Sequence, residues 1–183
     1  MRILLLAAFT FSTIAAAVVP LDGGSPAVVQ VDINTGPGQH FDPHVSGDVA
    51  AYSSAPADEI RFYRFSTATD DAVPSAPGFR DILSDVSNNL IVFTRMSTTS
   101  AQDGVFVFDT VTGDFPTEID PQPGSQRIGA AIGDSLVAYA DFGLGTAGTG
   151  EIVAYNLLTS TQTRLTNDLA FDQNPAGSPL GNA

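Results

Sequence analysis

His40 and His44 stand four residues apart with Asp42 between them, a set of donor types that could hold a metal ion. Pro43 prevents the helix that would bring the two imidazoles onto one face. In an extended segment, residues four apart share a face but lie about 13 Å apart. A loop leading into a strand is the simpler reading, and no metal is expected. Three aspartates, Asp42, Asp81 and Asp172, each fall near the start of a repeated unit described below. With His44 they are the candidate ligand-face loop residues, because carboxylates gathered on one face could take a cation or a basic peptide. The alternative role is capping loops by accepting backbone N–H groups.

Other catalytic patterns are weak or missing. Gly143-Leu144-Gly145-Thr146-Ala147-Gly148 matches G-x-G-x-x-G, but that motif places a pyrophosphate at a helix N-terminus, and here Gly150 and a strand pattern follow. A flexible loop between strands is expected instead. Gly177-Ser178-Pro179-Leu180-Gly181 has its serine in the wrong place for a nucleophile elbow. No paired Asp/Glu set stands out for glycoside hydrolysis, and no cysteine is present to act as nucleophile, metal ligand or disulfide partner. Neither an enzyme nor a cofactor is expected within these residues.

The elements that must position these groups are legible in the wider composition. The chain has 183 residues, a net charge of -13 and no lysine, its seven cations all being arginine. Nucleic-acid binding replaces phosphate counterions with Lys and Arg, so so acidic a surface excludes that class of partner. With 43% hydrophobic and 15% charged residues the chain is expected to fold. Met1-Arg2, an apolar stretch from Ile3 to Ile14, and Ala15-Ala16-Ala17 follow the layout of a secretory signal peptide spanning residues 1–17. The stretch is shorter than the ~20 residues of a spanning helix. A periplasmic or secreted protein with no membrane span in the mature chain is therefore expected.

A pattern of turn, apolar run, loop, second apolar run and polar tail recurs. Ser46-Gly47-Asp48 precedes Val49 to Tyr52, with Ile60 to Phe65 after it; Ser87-Asn88-Asn89 precedes Leu90 to Phe93, with Val105 to Phe108 after it; Gly133-Asp134-Ser135 precedes Leu136 to Tyr139, with Ile152 to Tyr155 after it. Another copy opens at Phe171-Asp172. Taking Asp48, Asn89, Asp134 and Asn182 as equivalent gives spacings of 41, 45 and 48 residues, the range of propeller blades with about four strands each. Both alternating faces of Leu90-Ile91-Val92-Phe93 are apolar, so both must be covered, as they are when sheets stack radially. Thr161 to Thr166 is mostly polar and reads as an outermost strand. The expected fold is an all-β partial propeller of about three four-stranded blades plus fragments of flanking ones. Residues 18–40 form an N-terminal segment with an edge or closing strand at Val28 to Asn34, 41–78, 79–124 and 125–170 are the blades, and 171–183 begin a truncated fourth.

Phe41-Asp42-Pro43-His44-Val45-Ser46-Gly47-Asp48, Val107-Phe108-Asp109-Thr110 with Thr112-Gly113, and Thr163-Arg164-Leu165-Thr166-Asn167-Asp168 followed by Asn174-Pro175 resemble the WD-like repeats of TolB-like β-propellers. The resemblance covers about residues 28 to 183. It implies an exported binding module that recognises a protein, a peptide or an envelope component, in a chain that is a fragment of a longer one. TolB itself carries an additional N-terminal α/β domain and works with a peptidoglycan-associated lipoprotein; no such domain precedes the blades here, so that role does not transfer. The alternative is the propeller arc of a prolyl-oligopeptidase-like hydrolase that lacks its catalytic domain. Open blade edges also predict self-association.

Overall fold

The computed structural model describes residues 18–19, 28–34, 36–100, 102–145 and 149–177. The expected signal peptide, the second half of the G-x-G-x-x-G motif and Asn182 lie outside the described residues. Two units are distinct, one ending at Thr35 and one beginning at Gly36. In the first, β1 (Val18–Val19) and β2 (Val28–Val29) pair antiparallel as a two-stranded sheet of their own.

The second unit is built from three four-stranded antiparallel sheets. The first holds β3 (Gln39–Ser46), β4 (Val49–Ala55), β5 (Glu59–Arg64) and β6 (Thr69–Ala72). The second holds β7 (Phe79–Ser87), β8 (Leu90–Ser97), β9 (Asp103–Asp109) and β10 (Thr117–Glu118). The third holds β11 (Arg127–Gly133), β12 (Leu136–Asp141), β13 (Glu151–Asn156) and β14 (Thr161–Arg164). Each is a meander in chain order. The described residues contain no helix, and none of their elements is long and apolar enough to cross a membrane as one.

The turns explain why the chain doubles back where it does. Gly47, Asn88 and Asp134 open the turn between first and second strands with φ of 56°, 53° and 52°. Gly, Asn and Asp are the residues that reach this left-handed region at least cost. Ala68, Gly113 and Ser160 do the same between third and fourth strands, at φ 53°, 69° and 53°. Matching hydrogen bonds fix the register: Phe65 N–H donates to Asp48 O, Thr110 N–H to Asn89 O and Leu157 N–H to Ser135 O. The point equivalent to Asp48 and Asn89 is therefore Ser135, one residue beyond the Asp134 chosen from the sequence pattern.

Sheets stack face to face, so the middle strands of the second sheet are covered on both sides, as their two apolar faces required. Val49, Ala51, Ile60, Phe62 and Val73 of the first sheet pack against Leu83, Ile91, Phe93 and Phe108 of the second. On its other side the second sheet presents Val92, Val105 and Ile119 to Ile132, Val137, Tyr139 and Val153 of the third. Burying each such Val, Ile or Phe is worth about 1.5–3 kcal/mol, so these two layers are the main source of cohesion.

Candidate ligand recess at the end of the second sheet

Each innermost strand carries one bulge, between Phe41 and His44 in β3, Leu83 and Asp85 in β7, and Ile128 and Ala131 in β11. An extra residue there kinks the strand and re-aims its side chains. Asp42 at φ 53° and Gly129 at φ 64° occupy corresponding places in their bulges. The bulge of β7 delivers Asp85, whose Oδ1 accepts from His44 Nδ1 at 3.1 Å and whose Oδ2 accepts from the Ile132 N–H at 2.9 Å. One carboxylate thus ties three sheets together at their inner edge. The sequence pattern does not single out Asp85, since only the fold brings His44 and the Ile132 N–H to it.

Among the candidates chosen from sequence, Asp42 is exposed and its Oδ1 lies 3.5 Å from His44 Nε2. His44 thereby bridges Asp42 and Asp85. His40 packs its ring edge-on against Tyr52, with centroids 5.4 Å apart. Asp81 is buried at 5% exposure on β7, and Asp172 sits in the segment after β14. The fold does not gather these groups into one cluster: Asp42 belongs to the bulge, whereas Asp81 lies two positions earlier in its own strand.

The site with most chemistry lies at the end of the second sheet, beside the segment that leads into the third, where a recess of about 250 Å³ is lined by Arg95, Arg127, Asp103, Glu118 and the rings of Phe79 and Phe106, with Pro121 and Pro123 completing the wall. Arg95 extends from β8 on the same face as Ile91 and Phe93, and its register partner on β7 is Asp81. Its Nε and Nη2 donate to Asp81 Oδ1 and Oδ2 at 2.8 and 2.7 Å, and Nη2 also reaches Pro74 O at 2.9 Å. Rings of Phe93, Phe106 and Phe115 pack around the guanidinium at 5.3, 4.8 and 5.4 Å. A bidentate pair inside aromatic walls satisfies both charges after desolvation.

In the third sheet the same register carries the opposite polarity, with Arg127 on β11 facing Asp141 on β12. Arg127 is 1% exposed and donates to Ile119 O, Asp120 O and Glu118 Oε1, while its Nε–H has no partner. Asp141 is satisfied at Oδ1 by the Ser125 hydroxyl and the Gly143 N–H. Asp103 Oδ2 accepts from Gln126 Nε2 at 2.7 Å. The recess is kept open by Gly104: a Cβ there would stand 2.7 Å from Glu118 Oε1 and 3.1 Å from the Phe106 ring. Two carboxylates and aromatic walls together can receive a peptide segment whose N–H or cationic groups donate and whose apolar side chains pack on the rings.

Three radial antiparallel sheets, each a four-stranded meander joined to the next at its inner edge, form an arc of a propeller. The solved structures bear this out. TolB from Acinetobacter baumannii superposes with a TM-score of 0.58 at 16% identity, covering 86% of this chain and 42% of that one. The chain has a partial TolB-like β-propeller fold. A putative TolB from Agrobacterium tumefaciens gives a TM-score of 0.59 at 13% identity, with 84% of this chain and 54% of that one covered. The TolB-like arc thus spans about half the length of these structures. No protein-family model matches the chain, and neither does any curated protein sequence.

Sequence reasoning missed the TolB-like arc's two buried arginines, though a signal for Arg95 was present. Ile91, Phe93 and Arg95 alternate along one strand face, so an arginine on a face already committed to the core required a buried acid, and Asp81 lies opposite it. Arg127 gave no such signal, because its partners are two loop carbonyls and Glu118 of a different sheet.

Proposed function

We propose that the chain is an exported binding module that recognises a protein or peptide ligand at the recess at the end of its second sheet. The observation that carries this reading is the recess itself, lined by Glu118, Asp103, Phe79 and Phe106 beside Arg95 and Arg127. Aromatic and arginine side chains around a preformed hollow are the usual anchors of protein and peptide recognition. The net charge of -13 favours a basic ligand over an acidic one through the field it creates around the recess. The TolB-like fold is compatible with this reading but does not by itself assign a ligand.

The test is fluorescence anisotropy with labelled basic, acidic and proline-rich decapeptides. Basic peptides containing an aromatic residue are expected to bind best, and Phe79→Ala, at the exposed rim, is expected to weaken them about fivefold, or about 1 kcal/mol. Equal binding of all three classes, or indifference to Phe79→Ala and to Gly104→Val, would refute the assignment. Export is tested separately by fusing residues 1–17 to an alkaline phosphatase that is active only outside the cytoplasm. An inactive fusion would rule it out.

A further inference from the structure

The two interfaces between sheets follow one plan, and they differ at the C-terminal ends of their third strands. Matching hydrogen bonds set the correspondence, from Val73 N–H to Ile60 O, Ile119 N–H to Val105 O and Leu165 N–H to Ile152 O, with Phe65, Thr110 and Leu157 equivalent at the other end. On the first sheet, Phe62 and Arg64 face the second; the same positions of the second sheet, facing the third, hold Val107 and Asp109. The Phe62 ring packs against Phe108 with centroids 5.7 Å apart. Arg64 Nη2 donates to Thr110 O and Oγ1 at 2.5 and 2.7 Å, so an arginine closes that end of the first interface.

Between the second and third sheets both side chains are shorter, and a groove of about 410 Å³ lies there. Leu90, Val107, Tyr155 and Leu157, packed on the core below, give it apolar walls. Asp109, Asp114 and Glu118 also line it, and no arginine, lysine or histidine does. Glu118 is already paired with Arg127. Asp109 Oδ1 caps the Val111 N–H at 2.8 Å, and neither Asp109 nor Asp114 has a cationic partner among the described residues. Leu157 stands where Thr110 receives Arg64, so its carbonyl and the Asp109 carboxylate are the acceptors that an arginine would meet here.

We propose that this groove is a second recognition site, which takes an arginine from a peptide segment of a partner protein together with the aliphatic side chain next to it. The guanidinium occupies the place that Arg64 holds in the first interface, its planar fork of donors spanning the Leu157 carbonyl and the Asp109 carboxylate. The aliphatic neighbour lies on Leu90, Val107 and Tyr155. Charge complementarity selects the occupant: two carboxylates without a cation, in a chain of net charge -13, attract a basic segment and repel an acidic one. Both sheets that form the groove have their four strands, and the chain beyond β14 runs elsewhere, with Asn174 and Pro175 beside Ile128 and Gly129 of the inner strand β11. The groove shares only Glu118 with the recess at the end of the second sheet, so either assignment can fail without the other.

The probe is the dipeptide acetyl-Arg-Leu-amide, titrated into the isotope-labelled full chain and followed by NMR. Saturable shifts are expected at the amides of Asp109, Thr112 and Leu157. Citrulline in place of arginine keeps the shape and removes the charge, and Asp109→Asn keeps the cap on Val111; each is expected to weaken binding about fivefold. Asp109→Arg supplies from within the residue that the first sheet carries, and it is expected to abolish the shifts while circular dichroism shows the strands retained. Phe79→Ala, at the recess, is expected to leave the titration unaltered. Absence of saturable shifts, shifts confined to Phe79, Gly104 and Phe106, equal binding of the arginine and citrulline dipeptides, or a titration indifferent to both Asp109 substitutions would each overturn the proposal.

Discussion

At the scale of single residues, the polar groups buried between sheets are where substitutions cost most. Arg95→Met or Asp81→Leu alone leaves an uncompensated charge at a site about 3–5% exposed, and each is expected to lower stability by about 3–5 kcal/mol in urea denaturation. The double substitution should recover most of that loss, because two apolar groups of similar bulk fill the same space. Asp85→Ala removes the acceptor of both His44 and the Ile132 N–H, with an expected cost of about 1–3 kcal/mol. Tyr139, at 0% exposure, has its phenol raised above the ordinary value of 10.0 by burial, opposed in part by the bond from Gln162. Above pH 10.0 the unfolded state loses this proton while the folded state keeps it, so stability falls as pH rises. Tyr139→Phe is expected to flatten that alkaline slope, as read from denaturation midpoints across the range.

Neighbouring sheets are joined at the scale of elements by a repeated hydroxyl clip at the end of the innermost strand. Ser46 Oγ accepts from the Asn88 N–H at 2.9 Å, and Ser87 Oγ from the Asp134 N–H at 3.1 Å. A second pair of hydroxyls does the same one strand over, Ser53 for Leu83 N–H and Thr94 for Gly129 N–H, both at 3.3 Å. Ser87→Ala is expected to cost about 1 kcal/mol and to speed amide exchange at Asp134, measured by NMR. The third sheet has Gly133 and Ala140 at these two positions, so it carries neither hydroxyl clip on its far side. The bulges matter equally: Gly129→Val would force a β-branched residue to φ 64°, and a loss of about 1–3 kcal/mol is expected from that strain.

For the whole molecule, the second sheet belongs to both apolar layers and the first and third to one each. Stability in stacked arrays is close to a sum of unit and neighbour terms, so amide exchange should be slowest in β8 and β9 and fastest in the polar outer strands β6 and β14, as mass spectrometry of exchanged peptides would show. Slower exchange in β14 than in β8 would contradict this account. The charge of -13 acts on the same scale. Self-repulsion opposes compaction and is screened by salt, so the denaturation midpoint is expected to rise as ionic strength increases from low to physiological.

The strands, their order and their grouping in fours could be read from residues 41 to 170 because each depends on local chemistry: short apolar runs with period two, and turns at Gly47, Asn88 and Asp134 that only certain residues make cheaply. That locality also explains the error of one residue at Asp134, since neighbouring turn residues are chemically alike and only the bond to Ser135 O separates them. The binding chemistry was not local. Asp42, His44, Asp81 and Asp172 attract notice as acids and a histidine at recurring places, but whether such a group is exposed, bonded or buried against a partner depends on residues as far as 14 positions away for Asp81 and 41 for His44. Asp81 became half of an ion pair, while Asp85 and Arg127 acquired roles that no spacing announced. Sequence determined the repeating sheet, because each turn and apolar run carries its own free energy; tertiary structure decided the recess, because its charges are positioned by the stacking of one sheet on another.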